Sequence, residues 1–232
     1  MTLVVAGIPV VVSKKKINNM HLYVKPPHGS VIVSAPLSMS DEAIERFVRT
    51  KVGWIRKQIL KFDDQLRQSD REYVSGETFY VLGKQFYMQV EYAPKNSLIL
   101  HGDKAVLTVR KGSTKEQRGN FVREWYRKLL IAEIERLLPI WERRTGLEAT
   151  SWQTKYMTTH WGTCNRDTGK IWLNVQLAKK IPECLEYIVL HELVHLEEKN
   201  HNERFISLMD KHMPNWREVR KTLNGQALDY ME

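Results

Sequence analysis

A chain of 232 residues with 42% hydrophobic and 27% charged residues has the composition of a soluble globular protein, long enough for one large domain or two small ones. Its 36 Lys and Arg against 27 Asp and Glu leave a net charge of +9, which suits nucleic acid as a partner but which solvated helix faces in a basic protein also produce. Two cysteines exclude a disulfide scaffold and fit a reducing compartment.

The apolar segment from Met1 to Val12 is too short to span a membrane and contains Pro9. It lacks the charged n-region and cleavage site of a signal peptide, so a cytoplasmic protein is expected. The β-branched runs Val10-Val11-Val12, His21-Leu22-Tyr23-Val24 and Val31-Ile32-Val33 predict strands within residues 3–35. Ser40, followed by Asp41 and Glu42, predicts a helix start; Ile44, Val48, Val52, Ile55, Ile59, Phe62 and Leu66 then recur at helical spacing as one buried stripe. A second β block is expected from Tyr73 to about Arg110, with turns at Gly83-Lys84 and Gly102-Asp103. No internal repeat or low-complexity tract is evident.

Ser113-x-x-Glu116 reads as a capping box that opens a long helix, broken or kinked near Pro139 and ended by Gly146. Phe121, Trp125, Leu129 and Leu137 form its expected core face. After the turn signal Asp167-Thr168-Gly169, the stretch Lys170 to Leu177 alternates as a strand, with Trp172 and Asn174 on one face and Ile171, Leu173 and Val175 on the other. Its free edge is a place for an extended substrate to pair by β-augmentation; an ordinary half-buried strand is the alternative. Pro182 as a first-turn residue places a further helix at roughly 182–198. Asn200 is the expected turn residue after it, Asn202 the next N-cap, and Gly225 the end of the last helix. The chain divides near residue 112 into a β-rich part around one long helix, residues 1–112, and a second part, residues 113–232, the two able to pack as one domain.

The helix at 182–198 carries His191-Glu192-Leu193-Val194-His195, and His201 follows. Residues four apart share a helix face, so two imidazoles aim at one point, and a chain reversal brings the third. Three neutral imidazoles plus an open position make a catalytic zinc site, with Glu192 set beside the metal to take a proton from water. The competing reading is a buried helix with two satisfied histidines. It is weakened by Tyr187-Ile188-Val189-Leu190 and Leu193-Val194, which bury the helix and make unsatisfied polar groups costly there.

Upstream stand Trp161-Gly162-Thr163-Cys164, then Gly169-Lys170-Ile171-Trp172-Leu173-Asn174 with Leu177, and Pro182. The order W-G-[ST]-C, G-x-I-x-L-N-x-x-L, P, H-E-L-x-H-L-x-x-x-N-H resembles the YgjP-like family of predicted zinc metallopeptidases, and more distantly the SprT-like and WLM zincins. The resemblance is strong over the last 80 or so residues. It implies an α+β, zincin-type catalytic region with an HExxH helix and an antiparallel edge strand. It also implies one zinc ion on His191, His195 and His201, with Glu192 as general base. The family pattern carries a basic residue, usually Arg, where this chain has His160.

Candidate electrophiles for the developing oxyanion are His160 first, then Tyr156 and His212. Cys164 is either a fourth ligand or a small packing residue, and the completeness of the histidine set favours packing; Cys184 is read as core. The expected function is a zinc-dependent metallopeptidase acting on peptides or proteins. The alternatives are a zinc hydrolase of nucleotides or phosphoesters, and a non-catalytic basic protein that binds nucleic acid around structural zinc.

Overall fold

The computed structural model describes residues 1–25, 29–64, 71–157 and 159–225, and of residues 61–64 only the backbone, so Phe62 and Leu66 of the expected stripe lie outside the described side chains. The fold is α+β, with two compact units, Met1–Gln68 and Ser69–Met231. The boundary expected near residue 112 falls inside the second unit. There, residues 79–109 share one hydrophobic core with the helices that follow them.

In the first unit, β1 (Thr2–Val5), β2 (Ile8–Lys15), β3 (His21–Lys25) and β4 (Ser30–Pro36) form a sheet in the order β1-β2-β4-β3. β2 and β4 run parallel and the outer pairs antiparallel. Ser40 caps α1 (Asp41–Thr50), accepting from the Ala43 amide at 3.3 Å. Lys51, at φ −108° and ψ 4°, separates α1 from α2 (Val52–Asp64), so the single long helix expected here is two. Ile44, Val48 and Ile55 are buried against Val5, Val10 and Val33, as the stripe requires.

In the second unit, β5 (Thr78–Val81), β6 (Lys84–Tyr92), β7 (Ser97–His101) and β8 (Lys104–Val109) take the order β5-β6-β8-β7 with the same parallel central pair. The strand topology of the first unit is thus repeated. Both first hairpins turn through two residues at positive φ, Ala6 (51°) and Gly7 (78°) in one, Leu82 (47°) and Gly83 (80°) in the other, as two-residue hairpins favour. The sequence trace of the repeat is thin: Thr2, Val5 and Gly7 match Thr78, Val81 and Gly83, and Phe47-Val48-Arg49 matches Phe121-Val122-Arg123. Alternating apolar residues tolerate wide substitution in strands, so the repeat escapes a reading of sequence alone.

The long helix α3 (Lys115–Thr145) opens with a capping box one residue later than expected, on Thr114 and Gln117. The Ser113 hydroxyl is engaged elsewhere, accepting from Arg118 Nε at 3.0 Å. The helix runs through Pro139 to Gly146, which ends it at φ 74°. Proline removes one hydrogen bond, and the buried Leu137, Leu138 and Trp141 around it hold the turn in place. Its buried stripe is Val122, Tyr126, Leu130, Ile134 and Leu137; Phe121, Trp125 and Leu129 are only half-buried, one position off the expected face.

A third sheet, ordered β10-β11-β9, contains β9 (Ser151–Lys155), β10 (Gly162–Asn165) and β11 (Lys170–Asn174). β11 is its centre, antiparallel to β10 and parallel to β9. It therefore has no free edge, and the antiparallel edge strand is β10. β11 also stops at Asn174 instead of Leu177, because the Asn174 side chain accepts from the Gln176 amide at 3.1 Å and starts a 3₁₀ turn, Val175–Lys179. Three helices complete the unit: α4 (Pro182–Glu197), α5 (Glu203–His212) and α6 (Trp216–Asn224). Among the described residues, no helix is long and apolar enough to cross a membrane.

The β5–β6 turn braces the start of α4. Its Leu82 and Gly83 amides donate to the Ala178 and Lys179 carbonyls at 2.9 and 3.1 Å. A Cβ on Gly83 would lie 3.0 Å from Cα of Ile181, the N-cap of α4, whereas one on Gly7 would meet nothing within 4 Å. Both positions charge an L-residue for its left-handed backbone, about 1–2 kcal/mol. Gly83→Ala is therefore expected to lower the urea midpoint clearly more than Gly7→Ala; equal shifts would mean that the brace carries no strain.

Candidate metal centre

α4 starts at Pro182, whose missing amide hydrogen is no loss in a first turn, and is buried on nearly every side. Cys184, Leu185, Tyr187, Ile188, Val189, Leu190, Leu193 and Val194 all lie in the core. His191 and His195, four residues apart, bring their Nε2 atoms to 3.1 Å. His201 Nε2 comes within 3.2 Å of His191 Nε2, and the three nitrogens all lie within 4.8 Å of one another. Tetrahedral zinc with Zn–N bonds of ~2.0–2.1 Å needs ligand nitrogens about 3.3 Å apart, which the His191–His195 and His191–His201 pairs match.

The protonation pattern agrees with that fit. His195 Nδ1 lies 2.9 Å from the Glu198 carbonyl, which only accepts, so Nδ1 donates there and Nε2 is the nitrogen turned toward the other rings. His191 Nδ1 is buried without a partner among the described residues, so Nε2 is that ring's only outlet. Burial first, then His195, His201 and Arg220, push His191 down to about 3; burial, His195 and Arg220 also lower His201. Neutral imidazole is the form that takes a metal. Phe205, itself buried, packs its ring against all three, with centroids 5.1, 4.8 and 4.7 Å from His191, His195 and His201.

How the chain returns to His201 differs from the expectation. Asn200 is not left-handed; α4 ends where Glu198 turns extended, at φ −117° and ψ 113°. Arg166, just after β10, receives the carbonyls this releases, donating to Leu196 at 3.3 Å and Glu197 at 2.8 Å. The Glu198 carboxylate accepts from Asn202 Nδ2 at 3.0 Å and pairs with Arg204 at 3.2 Å. Asn202 caps α5, accepting from the Phe205 amide at 2.9 Å, which fixes the ring beneath the histidines.

Glu192 is 4% exposed, and burial pushes its carboxyl up from 4.5 to about 8. It lies against β10 at Gly162: a Cβ there would stand 2.5 Å from Glu192 Oε1 and 2.8 Å from its Cγ. Position 162 is glycine for space, not for backbone conformation. Cys164, on the same strand, is half-buried, and its thiol is pushed up to about 11 by burial and then by Glu192, as a packing residue would be.

The other candidates are placed as follows. His160 is exposed, with Nδ1 2.7 Å from the Thr159 hydroxyl and its carbonyl held by Asn174 Nδ2 at 2.8 Å. Tyr156 donates its hydroxyl to the Arg123 carbonyl at 3.2 Å, so that proton is engaged on α3. His212 is half-buried in the last turn of α5. Asn174 is wholly buried and braces the preceding loop, donating to Met157 and His160 carbonyls at 2.8 Å each. Gly162, Arg166, Phe205 and the α6 residues Trp216 and Arg220 were not singled out from sequence for these roles; an arginine after a strand or on an amphipathic helix carries no local signal of its partner.

The α+β unit thus gathers three histidines, two on a buried helix and one just after it, beside an antiparallel edge strand, a set that suits a metal-dependent enzyme. The chain belongs to the YgjP-like family: the model of the YgjP-like metallopeptidase domain matches residues 19–226. Among solved structures it is similar to the metallopeptidase zymogen abylysin of Pyrococcus abyssi, at 20% identity and a TM-score of 0.36 over 41% of this chain and 99% of that one. It is likewise similar to the zymogen jannalysin of Methanocaldococcus jannaschii, at 22% identity and a TM-score of 0.36 over 39% and 93%. No curated protein matches the chain.

The raised Glu192 carboxyl makes a prediction for metal-free protein. A buried acid that holds its proton more tightly folded than unfolded stabilises the fold below the unfolded value, and that stability is lost as pH rises through the folded one. Melting temperature in a chelator is expected to fall between pH 4.5 and about 8 in wild type, and to fall less in Glu192→Gln. Parallel curves for the two proteins would refute the burial argument.

Proposed function

We propose that the protein is a zinc-dependent metallopeptidase, with His191, His195 and His201 as the zinc ligands and Glu192 as the general base. The observation that supports this most is the convergence of three imidazole nitrogens next to a buried carboxyl. Zinc held there supplies Lewis acidity to the scissile carbonyl and acidifies the attacking water. Glu192 takes the proton from that water and passes it to the leaving amine. Burial strengthens its basicity, and the missing side chain at Gly162 leaves the space against β10 in which its carboxyl sits. The free edge of β10 offers main-chain hydrogen bonds that hold an extended peptide in register. Phe205 and the Glu198 carbonyl keep the imidazoles oriented.

Metal content by elemental analysis and hydrolysis of a denatured-protein substrate test the proposal together. About one zinc per chain is expected in wild type, with His201→Ala losing it. Glu192→Gln is expected to keep the metal and lose at least ~10²-fold in turnover. Wild type without zinc after reconstitution, or full turnover in Glu192→Gln, would overturn the assignment. Phosphomonoester and phosphodiester substrates in the same screen are expected to give no zinc-dependent signal.

Gly162→Ala separates base positioning from metal binding. The added methyl displaces the Glu192 carboxyl, so zinc content should stay at the wild-type level while kcat falls by roughly 10² or more. Loss of zinc along with activity would show that residue 162 shapes the ligand cluster instead.

A further inference from the structure

Four described arginines occupy this side of the second unit, and three are committed. Arg166 caps the carbonyl end of α4, Arg204 pairs with Glu197 and Glu198, and Arg217 forks onto Asp210, with Nη2 to Oδ2 at 3.1 Å. Arg220 is the exception. It is exposed on α6, and none of the described carboxylates lies within ion-pair distance of it.

Its placement is nevertheless defined, by a ladder of rings. The guanidinium carbon stands 6.0 Å from the centroid of Trp216, one turn earlier on the same helix. Trp216 is fixed by donating from Nε1 to Asp210 at 2.7 Å, and it stacks on Tyr187 at 6.3 Å and 7°. Tyr187 in turn packs on His191 at 5.6 Å. The ladder therefore runs from Arg220 through two rings to His191, and the positive charge of Arg220 is felt along it, at Tyr187 and His191 and at His201 as well. A lone cation held next to a cluster that takes a cation works against metal binding. Such an arrangement becomes favourable when an anion forms between the two, and a fixed donor aimed at developing charge accelerates the step that forms it.

We propose that Arg220 is the electrophilic residue of the site, binding the negative oxygen that develops when water adds to the scissile peptide carbonyl. This rests on the peptidase reading above. It assigns to Arg220 the role that sequence gave first to His160. In the step, water's oxygen bonds to the carbonyl carbon, the carbonyl π pair moves to its oxygen, and the proton goes to Glu192; Arg220 changes neither bonds nor protonation.

The test uses the full-length, zinc-loaded protein with an end-blocked peptide and with the same peptide bearing a free carboxylate. Arg220→Ala is expected to lower kcat by about 10²–10³-fold on both peptides with little change in KM. Its affinity for a phosphinic peptide, which mimics the tetrahedral anion, should fall in parallel, and Arg220→Lys should recover part of both losses. Zinc affinity, read by competition with a chromophoric chelator, should be unchanged or tighter in Arg220→Ala. Turnover and phosphinic-peptide affinity near wild type would overturn the proposal. So would a loss confined to KM for the free-carboxylate peptide, which would make Arg220 an anchor for the substrate's terminus, or a loss of zinc, which would make it structural. Wild type that binds no zinc or cleaves no peptide defeats the peptidase reading itself; an active wild type with an indifferent Arg220→Ala defeats only the role of Arg220.

Discussion

Helix α4 is buried on almost all sides, yet it carries two imidazoles and a carboxyl, and much of the second unit is arranged around satisfying them. His195 is met by the carbonyl of Glu198, which is available only because the chain leaves the helix extended at that residue. The carbonyls freed by that ending are met by Arg166, and the carboxylates beyond it by Asn202 and Arg204. Glu192 has no such partner among the described residues, and burial raises its carboxyl. Interior polar groups without partners cost a few kcal/mol each, so their persistence in the core of this helix points to a ligand that completes them.

The two four-stranded sheets show how chemistry attaches to one copy of a shared topology and not the other. Each begins with a hairpin turned through two left-handed residues, and each ends in a capped helix. In the first unit the turn at Gly7 has open space above it. In the second, the turn at Gly83 is pinned to the 3₁₀ turn and to Ile181, and so becomes the footing of α4. The helix that bears the histidines is thereby held at its first residue by one sheet and at its last by the β10–β11 hairpin through Arg166.

Much of this was legible in the chain itself. The spacing of His191, His195 and His201, the apolar surroundings of that helix, its start at Pro182 and the cap at Asn202 all rest on local rules that the fold leaves intact. Errors arose where tertiary partners decide. Ser113 loses the cap to Thr114 because Arg118 claims its hydroxyl; β11 ends early because the Asn174 side chain turns onto the backbone. Lys170 to Leu177 alternates as an edge strand would, but alternation reports only which side is buried, and the pairing with both β9 and β10 is not written in it. Gly162 stood in the W-G-[ST]-C motif, but its contact with Glu192 was not readable there, and Arg220 gave no signal at all, since what matters at each is a neighbour distant in sequence.

The three imidazoles belong to one short stretch, residues 191–201, whereas Gly162, Arg166, Trp216 and Arg220 reach them from well outside it. Closing a short loop costs little chain entropy, and each longer separation costs more. The ligand set is thus the part of the site that asks least of long-range closure, and the seat of the base asks most. On the proposed reading, holding an ion and cleaving a peptide draw on different reaches of the chain: the first on one continuous segment, the second on strands and helices brought from both sides of it.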